Sequence, residues 1–206
     1  MLGAATLRPS LPMRLASAVP DAVAAGFFLL LWGAPGLLAP KALGTGLLIM
    51  LVEFVLMHAA GMIGAVVLER DLSRMKRLAI LCGFAATYLV LIASFCYAFQ
   101  AWWPVAAFAV LLLGKASLVF DRDLPPSARR HRIRSSRVLS ACAYLGGVFL
   151  TLGLPLPRLG LTPSVVAEAG LVGEGLWVEK PHTVAAFGLI YFAFLAWAKV
   201  RDLRLP

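Results

Sequence analysis

Three ionisable side chains, Glu53, His58 and Lys115, sit inside long apolar runs where nothing nearby in the sequence offers them water. Placing such a group in hydrocarbon costs about 2.5–3.5 kcal/mol on insertion scales, so each needs a partner or a task. A carboxyl and an imidazole at that depth can relay protons or hold the polar part of a solute. Glu53 lies about ten residues from either end of its run, and His58 is five residues further on. At about 100° and 1.5 Å per residue, His58 points about 140° away and lies about 7.5 Å along the axis. On a straight helix the two address different neighbours. Measured from the ends of their run, Tyr88 falls near the level of His58 and Ser94 near that of Glu53. Lys115 lies about one and a half turns from the end of its own run. Its stem either snorkels to the headgroups or turns inward towards His58. In the second case Glu53, His58, Tyr88 and Lys115 form one intramembrane polar cluster, the leading candidate site.

Other chemistries fail on count. Met50 and Met57 lie near the Glu53 face and Met62 one turn after His58, which sketches a soft copper(I) site. No second intramembrane histidine completes it, and methionine is more often a gap filler. His182 follows Pro181 at the far end of another run, too distant in depth for a haem shared with His58, and His131 is flanked by Arg130 and Arg132. Cys82, Cys96 and Cys142 all fall in apolar stretches without CxxC spacing, which argues against a disulfide framework. HExxH, GxSxG and phosphate-loop motifs are absent from the sequence. Neither metal nor cofactor is expected.

The elements that must position these residues follow from composition. Of 206 residues, 61% are hydrophobic and 14% charged, with a mean hydropathy of +0.88. Soluble domains carry roughly 25% charged residues, so a water-soluble globule and a disordered chain are both excluded. A spanning helix needs about 20 apolar residues. Six stretches qualify, at about 19–39, 43–68, 78–99, 103–120, 138–156 and 183–200. The expected fold is an all-α polytopic transmembrane bundle of about six spans, forming one integral membrane domain over residues 1–206. Gly33, Pro35 and Gly36 interrupt the first run and predict a break near Trp32. Ala16-Ser17-Ala18 precedes that run instead of following it, so the reading is an uncleaved span and not a secretory signal.

The net charge of +9 suggests nucleic acid only if placement is ignored. With both termini inside, 15 of the 19 Lys and Arg residues fall on the cytoplasmic side and three outside, Lys41, Arg158 and Lys180. This is the positive-inside pattern, and it leaves no case for a nucleic-acid partner. The run containing Arg129, Arg130, Arg132 and Arg134 reads as an orientation signal that also suits anionic lipid headgroups. Small residues at Ala60 and Gly64, and at Gly61 and Ala65, have the spacing of a close helix contact, expected to shield His58 from lipid.

The largest external segment, 157–181, contains Thr162-Pro163, a cap followed by proline at the first helical position. Gly170 is placed to close a short helix that roofs the outer face. Glu53-Phe54 with His58, the Leu-Gly-Lys ending at Lys115, and Gly175-Leu176-Trp177-Val178-Glu179-Lys180-Pro181-His182 resemble bacterial multi-pass inner-membrane proteins of about 200 residues. The resemblance covers about 43–200 and implies a bacterial inner-membrane setting; it carries no activity with it. Trp177, Glu179 and His182 then form an external lid or docking surface. Two functions stand beside each other. One is small-solute or proton-linked transport through the Glu/His cluster. The other is a structural or accessory subunit that contacts a membrane protein partner or a second copy. An enzyme ranks below both.

Overall fold

The computed structural model describes residues 10–68, 72–109, 126–171 and 173–203, and their side chains apart from residues 67, 68, 74 and 126–137. The described residues are helical, with no strand. Helix α1 spans Leu11–Gly33, followed by a 3-10 turn at Pro35–Leu37. Then come α2 (Ala42–Leu68), α3 (Arg74–Phe99), α4 (Pro126–Gly153), α5 (Pro163–Glu168), α6 (Leu176–Glu179) and α7 (Pro181–Arg201). Residues 103–109 are also helical.

Four helices are long and apolar enough to cross a membrane: α1, Ala42–Val66 of α2, Met75–Phe99 of α3, and α7. The rest of the expected 103–120 span, Lys115 included, lies outside the described residues. The apolar part of α4, Val138–Gly153, is shorter than the four.

Two boundaries differ from expectation. Helix α1 begins at Leu11 and not near residue 19, because Pro12 favours a helix start and only Arg14 and Ser17 interrupt the apolar character of its first two turns. It stops at Gly33 because Pro35 pushes Ala34 out of the helical region, to φ −143°. Helix α4 begins at Pro126. The basic run is therefore part of a helix, since arginine is a good helix former and proline opens the first turn.

The chain divides into two compact units, residues 1–47 with 126–206, and residues 48–125. In the first unit α1 presents one buried stripe, Ala18, Asp21, Ala25, Phe28 and Leu31, at helical spacing. The stripe meets α7 in an antiparallel packing. Phe28 stacks on Phe192 at 5.8 Å between ring centroids. A Cβ on Gly188 would lie 2.6 Å from Phe28 Cγ, so only glycine admits that ring. Tyr144 of α4 meets Phe187 at 4.8 Å and Tyr191 at 5.4 Å. Gly147, one turn on, leaves room for the Phe187 ring, so α4 also runs antiparallel to α7.

In the second unit Val55, Ala59 and Ile63 of α2 pack with Ile92 and Cys96 of α3 and with Phe108. Of the expected small-residue seam, Gly64 is buried beside Ile63 and Ala60 is half-buried. A Cβ on Gly61 would meet no atom within 4 Å, and Ala65 is exposed. Only 6% of the apolar window of α3 is buried. Side chains such as Leu89, Val90 and Leu91 face outward, which is stable in hydrocarbon and not in water.

Candidate functional site

Glu53 lies near the middle of the Ala42–Val66 span, and its side chain is half-buried. Helix α2 is apolar on every other side of this level because its flanking turns are Leu, Ile, Met, Val and Phe. A helix that is apolar all round satisfies its backbone internally, as lipid demands. That leaves the carboxyl as the polar element at mid-span.

His58 is brought to Tyr88 but not shielded. Their ring centroids are 6.2 Å apart in an edge-on arrangement, and Phe54, one turn before His58, lies 5.9 Å from the imidazole. Phe84 and Phe108 flank Tyr88 at 6.5 and 6.4 Å. The imidazole and Phe54 are both exposed, whereas Tyr88 is half-buried. His58 stays exposed beside the packing face of α2, which runs through Val55, Ala59 and Ile63. Ser94, at the Glu53 level, donates to the carbonyl of Val90 in its own helix at 2.9 Å. Its hydroxyl serves α3. Thus His58 and Tyr88 meet, Glu53 sits at its own level on another side of α2, and Lys115 lies outside the described residues. Among the described residues no group of three or more His, Cys, Asp or Glu side chains has the geometry of a metal site.

The residues of segment 157–181 are organised by the first unit. Gly160 N donates to Trp32 O at 3.0 Å, and Trp32 Nε1 donates to Pro157 O at 2.9 Å. This reciprocal pair ties the start of segment 157–181 to the end of α1. Leu159, between the two bonds, takes the left-handed φ of +47°, a conformation a leucine adopts only when its neighbours hold it. Thr162 caps α5 by accepting from Val165 N, and Gly170 closes the segment at φ +55°, as the cap-and-proline pattern requires. Trp177 is half-buried, 5.8 Å from Phe187 of α7. Glu179 is exposed and His182 half-buried. The side chains of Arg129, Arg130, Arg132 and Arg134 lie outside the described set.

One ionisable pair escaped the sequence reading. Asp21 of α1, buried in the α1 stripe, forms an ion pair with Lys199 of α7. Arg14 Nη1 donates to the carbonyl of Val200 at 3.2 Å, filling one of the acceptors that a helix C-terminus leaves open. The signal was present in the periodicity, since Asp21 falls in register with Ala18, Ala25 and Phe28. A span drawn from residue 19 instead puts Asp21 at its edge.

The chain matches no family model, no curated protein and no solved structure. Its class rests on its own helices, which are those of an integral membrane protein.

Proposed function

We propose that the chain is a multi-pass protein of a bacterial inner membrane that moves protons or a small solute, with Glu53 as the group that titrates during turnover. The observation that carries this reading is the half-buried carboxyl near the middle of a membrane-length apolar helix. His58 and Tyr88, about one to one and a half turns away in depth, form the next polar station on the same helix pair. Lys115 completes the cluster if it turns inward.

Six spans with both termini in the cytoplasm fit the helix directions of the first unit. Arg14 reaches Val200, so the start of α1 and the end of α7 share one end of that unit. Helix α4, antiparallel to α7, runs parallel to α1. Between two parallel spanning helices the chain makes an odd number of crossings; α2 and α3 supply two, and the stretch 103–120 is the natural third. Arg74, Lys76 and Arg77 open α3, an end where cations oppose the helix dipole. An orientation signal accounts for them there, and Arg129, Arg130, Arg132 and Arg134 extend it towards anionic lipid. Trp177, Glu179 and His182 form the outer docking surface in this topology.

The test is flux in reconstituted vesicles. Glu53→Gln abolishes pH-linked flux while leaving the fold intact; unchanged flux overturns the relay. A second reading, an accessory subunit, is favoured by the exposure of His58 and of the apolar face of α3 that carries Leu89, Val90 and Leu91. Crosslinking in native membranes then recovers a stoichiometric partner or a second copy, and recovery of the single chain alone counts against it.

A further inference from the structure

Where α1 breaks, the first unit forms an open-mouthed pocket of about 400 Å³. This lies within the range of roughly 300–1,000 Å³ typical of small-molecule sites. Its walls come from the end of α1 (Leu31), the 3-10 turn (Pro35, Gly36), the start of α2 (Leu43), and α5 with the residues before it (Leu161, Val165). These side chains are apolar, and Leu161 and Leu43 are almost fully buried. Among the described lining residues Glu168, exposed at the mouth, is the one ionisable side chain. The last turn of α1 borders the same space, and a helix C-terminus carries the negative pole of the macrodipole. The carboxylate at the mouth and the partial negative charge of the helix end thus have the same sign, against apolar walls. Lys41 is exposed between two lining residues, Pro40 and Ala42, and is not itself part of the lining.

The rim is built to persist. The two hydrogen bonds between Trp32 and residues Pro157 and Gly160 fix the far wall to α1. Gly160 itself has no room for a side chain, since a Cβ there would lie 2.7 Å from Gly33 O. The cavity is at the opposite end of the unit from the Arg14 contact with Val200. It thus lies at the external headgroup level in the topology proposed above, though its chemistry does not depend on Glu53.

We propose that this cavity binds an ammonium group carried on a short apolar chain, with the ammonium at Glu168 and the methylenes against Leu31, Leu43 and Leu161. Two sources share that chemistry, the headgroup of an ethanolamine phospholipid and a free alkylammonium ion. Calorimetric titration of the purified full chain distinguishes them, using dihexanoylphosphatidylethanolamine, hexylammonium, hexanol and dihexanoylphosphatidylglycerol as probes. Both ammonium probes bind about five-fold or more tightly than their uncharged or anionic counterparts, and Glu168→Gln removes that preference. Tighter binding of the ethanolamine lipid assigns the site to lipid, and tighter binding of hexylammonium assigns it to a soluble cation. Ala169→Phe fills the cavity and abolishes both, with unchanged amide exchange at Val166, whose N–H bonds to Thr162 O, showing that the exposed short helix still folds. Equal binding of hexylammonium and hexanol, or undiminished binding in a folded Ala169→Phe protein, overturns the proposal.

Discussion

Asp21 on α1 is ion-paired with Lys199 on α7, joining helices at opposite ends of the chain through a contact embedded in an otherwise apolar seam. The two partners are unequal. The Asp21 side chain is 12% exposed and that of Lys199 43%. Removing the cation strands a nearly buried carboxylate, whereas removing the carboxylate frees an ammonium that already reaches water. Exposed pairs contribute about 0–1 kcal/mol, and breaking a buried pair costs about 3–5 kcal/mol. Lys199→Ala is expected between these, at about 1–2 kcal/mol, and Asp21→Asn below it. Denaturant unfolding in detergent, run as a double-mutant cycle with both changes, measures the coupling. Two single variants as stable as the parent contradict the pairing.

Gly188 and Gly26 provide a contrast between two helical glycines. Gly188 faces the Phe28 ring with no space for a methyl group, while a Cβ on Gly26 meets no atom within 4 Å. Gly188→Ala forces the ring aside and costs about 1–3 kcal/mol. Gly26→Ala gains helix propensity, worth up to about 1 kcal/mol. Thermal midpoints of the two variants should move in opposite directions.

The attachment of segment 157–181 depends on the Trp32 indole. Trp32→Phe keeps the ring but deletes the donor to Pro157 O, losing about 0.5–1.5 kcal/mol locally. Amide exchange around Gly160 and Leu161 should accelerate while exchange in the middle of α7 stays slow. Uniform acceleration across both would show that the segment is not an independent flap on the helix ends.

His58 and Ala59 are adjacent but on different faces of α2. His58 is exposed, whereas Ala59 is fully buried against α3 and Phe108. His58→Phe should therefore change stability by no more than about 0.5 kcal/mol, and Ala59→Leu should cost about 1–3 kcal/mol. Comparable losses at both positions would place the imidazole in the packing.

What the sequence made legible was whatever depends on local rules. Apolar length placed α2 and α7, proline and glycine placed the end of α1, and Thr162-Pro163 placed α5. The start of α1 was obscured because Arg14 and Asp21 read as the edge of a span, when each is matched by a residue of α7 far along the chain. Lys199 likewise looked like one more orientation charge. The basic run before Val138 fell outside every expected span because charge masks helix propensity in a hydropathy reading. At the candidate site, the angular separation of Glu53 and His58 followed from helix geometry. The exposure of His58 did not, because spacing alone does not say how far a neighbouring helix reaches past the contact along Val55, Ala59 and Ile63.

Proton flux through Glu53 is tested most directly in vesicles of ethanolamine and glycerol phospholipids that enclose a pH-sensitive dye, with a potassium diffusion potential as the driving force. Vesicles containing the protein should acidify faster than protein-free vesicles. Glu53→Gln should return them to the protein-free rate, and Glu53→Asp, which restores a carboxyl, should recover part of the difference. A Glu53→Gln protein that is correctly folded and conducts as fast as the parent, or a parent no faster than empty vesicles, contradicts the relay.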